Sequence, residues 1–137
     1  MKELFLSNIP ACLAAVGLIC YFTGMFFVFV FSPLKNAEKF SIRPVDNAGK
    51  TEIRVYYGGI SGALAGFLAY LTFGLRNPDA ALVGGLFFAT TVFVTRTIFL
   101  FVDKGWGCPY TKLAIPAEGL FVAALWVCYV LSKALYV

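Results

Sequence analysis

Five ionisable side chains stand at the borders of long apolar runs or inside them, and these residues could carry chemistry. They are Glu52, Arg54, Arg96, Asp103 and Glu118. An arginine that is removed from water can hold a phosphate or carboxylate through charge-assisted hydrogen bonds. A carboxyl group in the same surroundings can act as a general acid or base, because desolvation raises its pKa. The set predicts an anion-binding site, a proton-handling site or a structural ion-pair network.

Arg96 is the deepest of these charges. It precedes Asp103 by seven residues, which in a helix is about 10 Å and brings both onto one face. A charge at the bilayer centre costs about 2.5–3.5 kcal/mol and usually faces a partner. Glu118 is the preferred partner, because it follows Pro116 in the predicted first turn of the last helix, where the helix dipole favours an acid. Asp103 and Glu52 are the alternatives.

Three interpretations of this cluster stay open. In the first, ion pairs fix the rotation of the helices and anchor the loops. In the second, a polar pocket opens to the cytoplasm, where Arg54 or Arg96 holds an anionic headgroup or substrate and Tyr56 or Tyr57 helps to orient it. In the third, Glu118 carries protons during transport.

The sequence contains no histidine, and this narrows the chemistry. Bis-histidine haem, H-E-x-x-H zinc chemistry and a Ser-His-Asp triad all need imidazole and are excluded. The four cysteines include no C-x-x-C pair, which argues against a redox centre or a clustered metal site. A membrane enzyme would have to use Glu118 or Asp103 as its acid or base, and the spacing requires neither. We therefore expect no cofactor or metal, and favour a protein that is not an enzyme.

The elements that position these residues are predicted to be membrane helices. Of the 137 residues, 61% are hydrophobic and 13% are charged, and the mean hydropathy is +0.85. Apolar runs long enough for a crossing, which takes about 20 residues, occupy residues 9–32, 55–75, 80–102 and 115–135. The sequence predicts one all-α domain over residues 1–137. It is a four-transmembrane-helix bundle with antiparallel neighbours, a polar loop at 33–54, and both termini on the same side.

The basic residues predict how this bundle is oriented. The loops at 33–54 and 103–112 contain seven Lys and Arg residues, whereas the opposite side has Lys2, Arg76 and Lys133. The positive-inside rule therefore places both loops in the cytoplasm and both termini outside, in a bacterial inner membrane. Because the basic residues flank apolar runs instead of forming a continuous patch, nucleic acid is not an expected partner.

A row of glycines marks one face of the second predicted span. Gly58, Gly62 and Gly66 recur every four residues, so another helix can approach this face closely. That helix can belong to the same bundle or to another subunit. Gly84 and Gly85 are expected to help the second and third helices to pack closely together as a hairpin. Besides membrane lipids, the expected partners are other membrane subunits or further copies of the chain.

Three short motifs contain the charged residues. They are E-I-R-V-Y-Y-G-G at 52–59, R-T-I-F-L-F-V-D-K-G at 96–105 and P-A-E at 116–118. In these motifs, which span the last three helices, the chain resembles a family of small bacterial four-helix membrane proteins known as a domain of unknown function. The resemblance implies the four-helix architecture and highlights the same five charged residues, without naming a reaction.

The small size, the glycine row, the many phenylalanines and the lack of a recognisable catalytic set favour one function. The chain is predicted to be a non-catalytic accessory or scaffolding subunit of a larger membrane complex. The alternative is a stand-alone membrane protein that binds or transports an anionic lipid or metabolite at the Arg/Glu cluster on the cytoplasmic side.

Overall fold

A computed structural model describes residues 8–136, apart from the side chain of Trp106, as an all-helical protein. Its α-helices are α1 (Ile9–Phe31), α2 (Pro33–Lys39), α3 (Asn47–Ile53), α4 (Ile60–Ala69), α5 (Pro78–Val102) and α6 (Pro109–Tyr136). Two π-helical segments, Arg54–Gly59 and Tyr70–Gly74, and a 3-10 turn, Gly105–Gly107, lie between them. The all-α prediction is confirmed, while Lys2 of the topology prediction lies outside the described residues.

Within residues 8–136, the three helices α1, α5 and α6 are long and apolar enough to cross a membrane. Their outward faces carry large apolar side chains. Phe31, Phe87 and Leu120, for example, are 73%, 73% and 74% exposed. Water disfavours so much exposed apolar surface, whereas a lipid bilayer accommodates it. The predicted membrane helices are therefore supported at these three positions.

Asparagine and proline set where α1 and α5 begin. Asn8 accepts a hydrogen bond from the backbone N–H of Ala11 at 3.2 Å, and Asn77 accepts one from that of Ala80 at 3.0 Å. A proline follows in each first turn, where its missing N–H costs nothing. The turn at Arg76, whose φ is 51°, therefore leads directly into α5, close to the predicted start at residue 80.

The segment at 33–54, predicted as a polar interfacial loop with room for a short surface element, contains the short helix α2 and the start of the second long helix. Asp46 accepts a hydrogen bond from the Gly49 N–H at 2.8 Å and so caps α3. The D-N-A-G sequence, interpreted as a turn, is thus a helix start. From there α3, the first π segment, α4 and the second π segment follow one another with helical backbone angles at each junction. Residues 47–74 therefore form one continuous long helix. This helix begins before residue 55, where the second span was predicted to start.

The last helix also begins earlier than residue 115. It starts at Pro109 and contains Pro116 in its interior. Glu118 therefore lies in the third turn, and the expectation that it gains from the N-terminal dipole of the helix is wrong. Interior prolines are tolerated in membrane helices because neighbouring groups can satisfy the freed backbone carbonyl.

Helix α1 lies at the centre and packs against the 47–74 helix, α5 and α6. Small residues allow these approaches. A Cβ atom at Gly62 would lie 2.6 Å from the Phe26 ring, and one at Gly85 would collide with Leu18. Gly85 thus serves the contact with α1 instead of the expected contact between the second and third helices. Gly58 also meets α1, whereas Gly66 has open space beside it.

The helices bring the polar segments to two opposite ends, because the 25 residues of α5 extend about 37 Å. At one end, here called the basic end, the Ser41 hydroxyl lies 3.7 Å from the Cys108 sulfur, so the 33–54 and 103–112 segments meet. At the other, here called the Asp79 end, the start of α1 meets the end of α6. The first and last described helices therefore have their outer ends on the same side.

Candidate functional site

Arg96 of α5 and Glu118 of α6 form an ion pair near the basic end. The Arg96 Nε lies 2.9 Å from the Glu118 Oε2, and the two side chains are 36% and 28% exposed. Both atoms are buried, and the N–H is not aligned well enough to make a hydrogen bond. The contact is thus a charge pair without a directed hydrogen bond. The prediction that Glu118 is the partner of Arg96 is confirmed.

Arg54 and Glu52, two other predicted members of the cluster, have different surroundings. The Arg54 Nε donates a hydrogen bond at 3.0 Å to the carbonyl of Val30, close to the end of α1 where helix carbonyls lack partners. Glu52 is exposed. Within residues 8–136 no ion pair joins Glu52 to Arg96, and Arg54 forms no ion pair. Arg54 therefore fastens the end of α1 to the neighbouring helix.

Tyr57 belongs to an aromatic cluster at the basic end. Its ring stacks on Phe29 at a centroid distance of 5.1 Å and on Phe40 at 6.4 Å. Phe40, which follows α2, meets Tyr110 edge to face at 4.4 Å. Such pairs contribute about 0.5–1.5 kcal/mol each beyond the burial of their area. The cluster therefore holds α2 against the 47–74 helix and the start of α6.

A cavity of about 420 Å³ opens beside Arg96 at the basic end. Its lining includes Arg96, Asp103, Cys108, Ser41 and Thr111. Arg96 and Asp103 line the same space, as their spacing on one helix face predicts. The volume is comparable to that of ligand sites, about 300–1,000 Å³, and the space is an open surface cleft and not an enclosed chamber. One space is thus bordered by a cation, an anion, a thiol and hydroxyl groups.

Cys108 is the member of this cavity that sequence reasoning missed. Its sulfur accepts a hydrogen bond from the Ser41 hydroxyl at 3.7 Å and lies 3.8 Å from the Lys39 carbonyl oxygen. The hydrogen bond from Ser41, followed by one from the Thr111 N–H, lowers the pKa of the Cys108 thiol, because both favour the thiolate. Ser41 lies 67 positions away in the chain, so cysteine spacing alone could not reveal this arrangement.

We expect iodoacetamide to modify Cys108 more rapidly than Cys12, which is fully buried. Because the pKa of Cys108 is lowered, its thiolate forms at a lower pH than in an unfolded chain. The alkylation rate should therefore rise at a lower pH, and replacing Ser41 by alanine should move that rise to higher pH. Peptide mass spectrometry of protein labelled at a series of pH values measures both profiles. Identical profiles for Ser41→Ala and the parent would contradict the role of Ser41.

A second polar cluster, not predicted from the sequence, joins three helices at the Asp79 end. The Asn8 Nδ2 donates to the Asp79 carboxylate at 3.0 Å and to the Ser132 hydroxyl at 2.8 Å. The Ser132 hydroxyl in turn donates to Asp79 at 2.6 Å, and the Lys133 ammonium lies 3.9 Å from the same carboxylate. Since the Asn8 Oδ1 caps α1, both ends of this amide are used within the protein. The cluster is a structural connection of helix ends.

No family model, no curated protein and no solved structure matches the chain. The function must therefore be inferred from the geometry of the sites, and the resemblance to the four-helix family stays a prediction.

Proposed function

We propose that the chain is a four-span protein of a bacterial inner membrane, with its termini outside, and that it is a non-catalytic accessory or scaffolding subunit of a membrane complex. The observation that carries this proposal is an unfilled groove along the glycine-rich face of the 47–74 helix.

Chain direction supports the 47–74 helix as the fourth span. Helix α1 runs from the Asp79 end to the basic end, and α5 then starts again at the Asp79 end, where Asp79 contacts Asn8. The chain must therefore return between Phe31 and Pro78. The 47–74 helix makes this return, and its 55–75 part is as apolar as a crossing requires. An even number of spans also agrees with the contact between Asn8 and Ser132.

The groove supports docking of another membrane helix. Its volume is about 490 Å³, and it lies between α1 and α4 on the outer surface. Gly59, Ala63 and Gly66 line its floor, while Phe26 and Phe27 form the side on α1. Small residues let helix backbones approach closely in a bilayer, where packing replaces the hydrophobic effect as the main driving force. Gly66 has nothing within 4 Å of a Cβ position, so its missing side chain is not explained by the fold of this chain.

Replacing Gly66 by leucine should therefore remove the companion subunit while the chain itself still folds. The expected result is a loss of about tenfold or more of the co-purifying protein, which corresponds to about 1.4 kcal/mol of binding free energy. Native mass spectrometry of protein extracted gently from its own membrane measures this loss.

Gly84→Leu is the matched control, because Gly84 also has nothing within 4 Å and does not line the groove. This variant should keep the companion. If Gly66→Leu and the parent both emerge as a single chain without companions, the accessory role is wrong.

A second candidate function is favoured by the cavity beside Arg96. In this proposal the chain acts alone and binds or transports an anionic lipid or metabolite at the basic end, with Arg96 as the cation. Arg54 is not part of this site, because it does not line the cavity. Retention of an anionic ligand by a chain without companions would favour this candidate over the accessory role.

A further inference from the structure

The cavity beside Arg96 contains two available charges of opposite sign at different depths. Arg96 contacts Glu118 through Nε, so its two Nη groups can still donate. The Asp103 carboxylate forms no ion pair with any residue between 8 and 136. Seven residues of α5 separate the two, which places Arg96 about 10 Å deeper than Asp103. A ligand in this open cleft meets a cation nearer the middle of α5 and an anion nearer its end.

We propose that this cavity binds a phospholipid headgroup that carries both a phosphate and a primary ammonium, as in phosphatidylethanolamine. The phosphate contacts the Arg96 guanidinium, and the ammonium contacts the Asp103 carboxylate. In a bilayer the phosphate of such a lipid lies nearer the hydrocarbon than its ammonium does. The order of charges along the lipid therefore matches their order along α5.

The remaining lining fits the other parts of the lipid. The planar guanidinium of Arg96 can bind two phosphate oxygens at once. Phe99 and Leu100 form an apolar wall between the two charges. This wall suits the glycerol and the upper acyl chain better than a free hydrophilic ligand.

The Asp103 carboxylate determines which lipid headgroup binds most tightly. A phosphatidylglycerol headgroup has no cation, so Asp103 repels its phosphate. A phosphatidylcholine headgroup has a cation but no N–H to donate to the carboxylate. The primary ammonium satisfies both the charge and the hydrogen-bonding capacity of Asp103.

Cys108 lines the same cavity, so its alkylation rate reports whether the cavity is occupied. The full chain is placed in nanodiscs of phosphatidylcholine alone, or with phosphatidylethanolamine or phosphatidylglycerol added, and is treated with iodoacetamide. We expect phosphatidylethanolamine to slow the modification of Cys108 about tenfold more than phosphatidylglycerol does, since a charge-assisted hydrogen bond distinguishes them. Water-soluble glycerophosphoethanolamine should give no protection. Equal protection by this soluble compound would overturn a membrane lipid as the source of the headgroup.

Three variants test the assigned contacts. For each variant, the rate of Cys108 modification with added lipid is compared with the rate in phosphatidylcholine alone. Asp103→Asn should abolish the preference for phosphatidylethanolamine. The double change Arg96→Gln/Glu118→Gln should abolish protection by either lipid, without leaving Glu118 as an unpaired charge. Lys112→Gln is the control, because Lys112 is exposed and does not line the cavity, and it should behave like the parent.

This inference rests on the second candidate function in one respect, the binding of an anionic phosphate by Arg96, and replaces a lipid of net negative charge by a zwitterionic one. The two can fail separately. Protection by phosphatidylglycerol that equals protection by phosphatidylethanolamine would overturn the role of the ammonium and leave anion binding in place. The absence of protection by both lipids in the parent chain would overturn a lipid as the ligand and leave only an anionic metabolite for the candidate function. An unchanged preference in Asp103→Asn would overturn the assignment of Asp103.

Discussion

Replacing Asn8 by alanine is expected to destabilise the protein by about 2–4 kcal/mol. Part of this loss is the cap of α1, worth about 0.5–2 kcal/mol. The remainder arises because Ser132 and Asp79 each lose one donor, and a hydrogen bond to a charged group contributes about 1.5–3 kcal/mol. Asn8 and Ser132 are 5% and 1% exposed, so water cannot replace the lost contacts easily. Unfolding by sodium dodecyl sulfate in mixed micelles measures the difference.

Two further variants separate the cap from the connection between helices. Asn8→Ser keeps a side-chain oxygen for the cap but lacks the amide donors, so we expect it to recover less than half of the loss. Asn36→Ala is the matched control, because Asn36 also donates near a helix end, to the Ser32 carbonyl at 2.7 Å, but at an exposed position. It should cost less than about 1 kcal/mol. Equal effects of Asn8→Ala and Asn36→Ala would contradict a special role for the Asp79 end.

The positions of α1 and α5 could be predicted because local signals agree there. Asn8 with Pro10, and Asn77 with Pro78, mark helix starts directly before apolar runs. The starts of α3 and α6 were missed because their signals are ambiguous. The residues after Asp46 are equally typical of a turn and of a capped helix. Pro116 looked like a helix start, although the bilayer permits it inside one.

The two polar clusters differ in how far the sequence could reveal them. Arg96 and Glu118 lie at the facing ends of two consecutive helices, so their pairing could be predicted, although the helix-dipole argument for Glu118 was wrong. Asn8 and Asp79 are 71 positions apart, and their contact depends on which helix ends meet. Asp79 also looked like an ordinary turn residue. Tertiary packing, which no local pattern encodes, decides such a contact.

Replacing Glu118 by alanine is expected to destabilise the protein by about 2–3 kcal/mol, because it leaves the Arg96 charge without a partner inside the helical region. We place the effect below the value of about 3–5 kcal/mol for fully buried pairs, since both side chains keep about a third of their surface exposed. Glu38→Ala is the matched control. Its partner, Arg43, is 81% exposed at the same distance of 2.9 Å, so this change should cost less than about 1 kcal/mol. Detergent unfolding of the two variants gives the comparison.

The double change Arg96→Met/Glu118→Leu shows whether the single variant reports an unpaired charge or lost packing. Removing both charges also removes the cost of burying them, so the double variant should regain most of the stability lost in Glu118→Ala. If it is as unstable as the single variant, the loss came from packing and the pair is not what holds α5 against α6. If instead the double variant is stable while phosphatidylethanolamine no longer slows the modification of its Cys108, that result would separate the role of Arg96 in stability from its role in lipid binding. The Arg96 charge would then be needed for ligand binding and not for the stability of the fold.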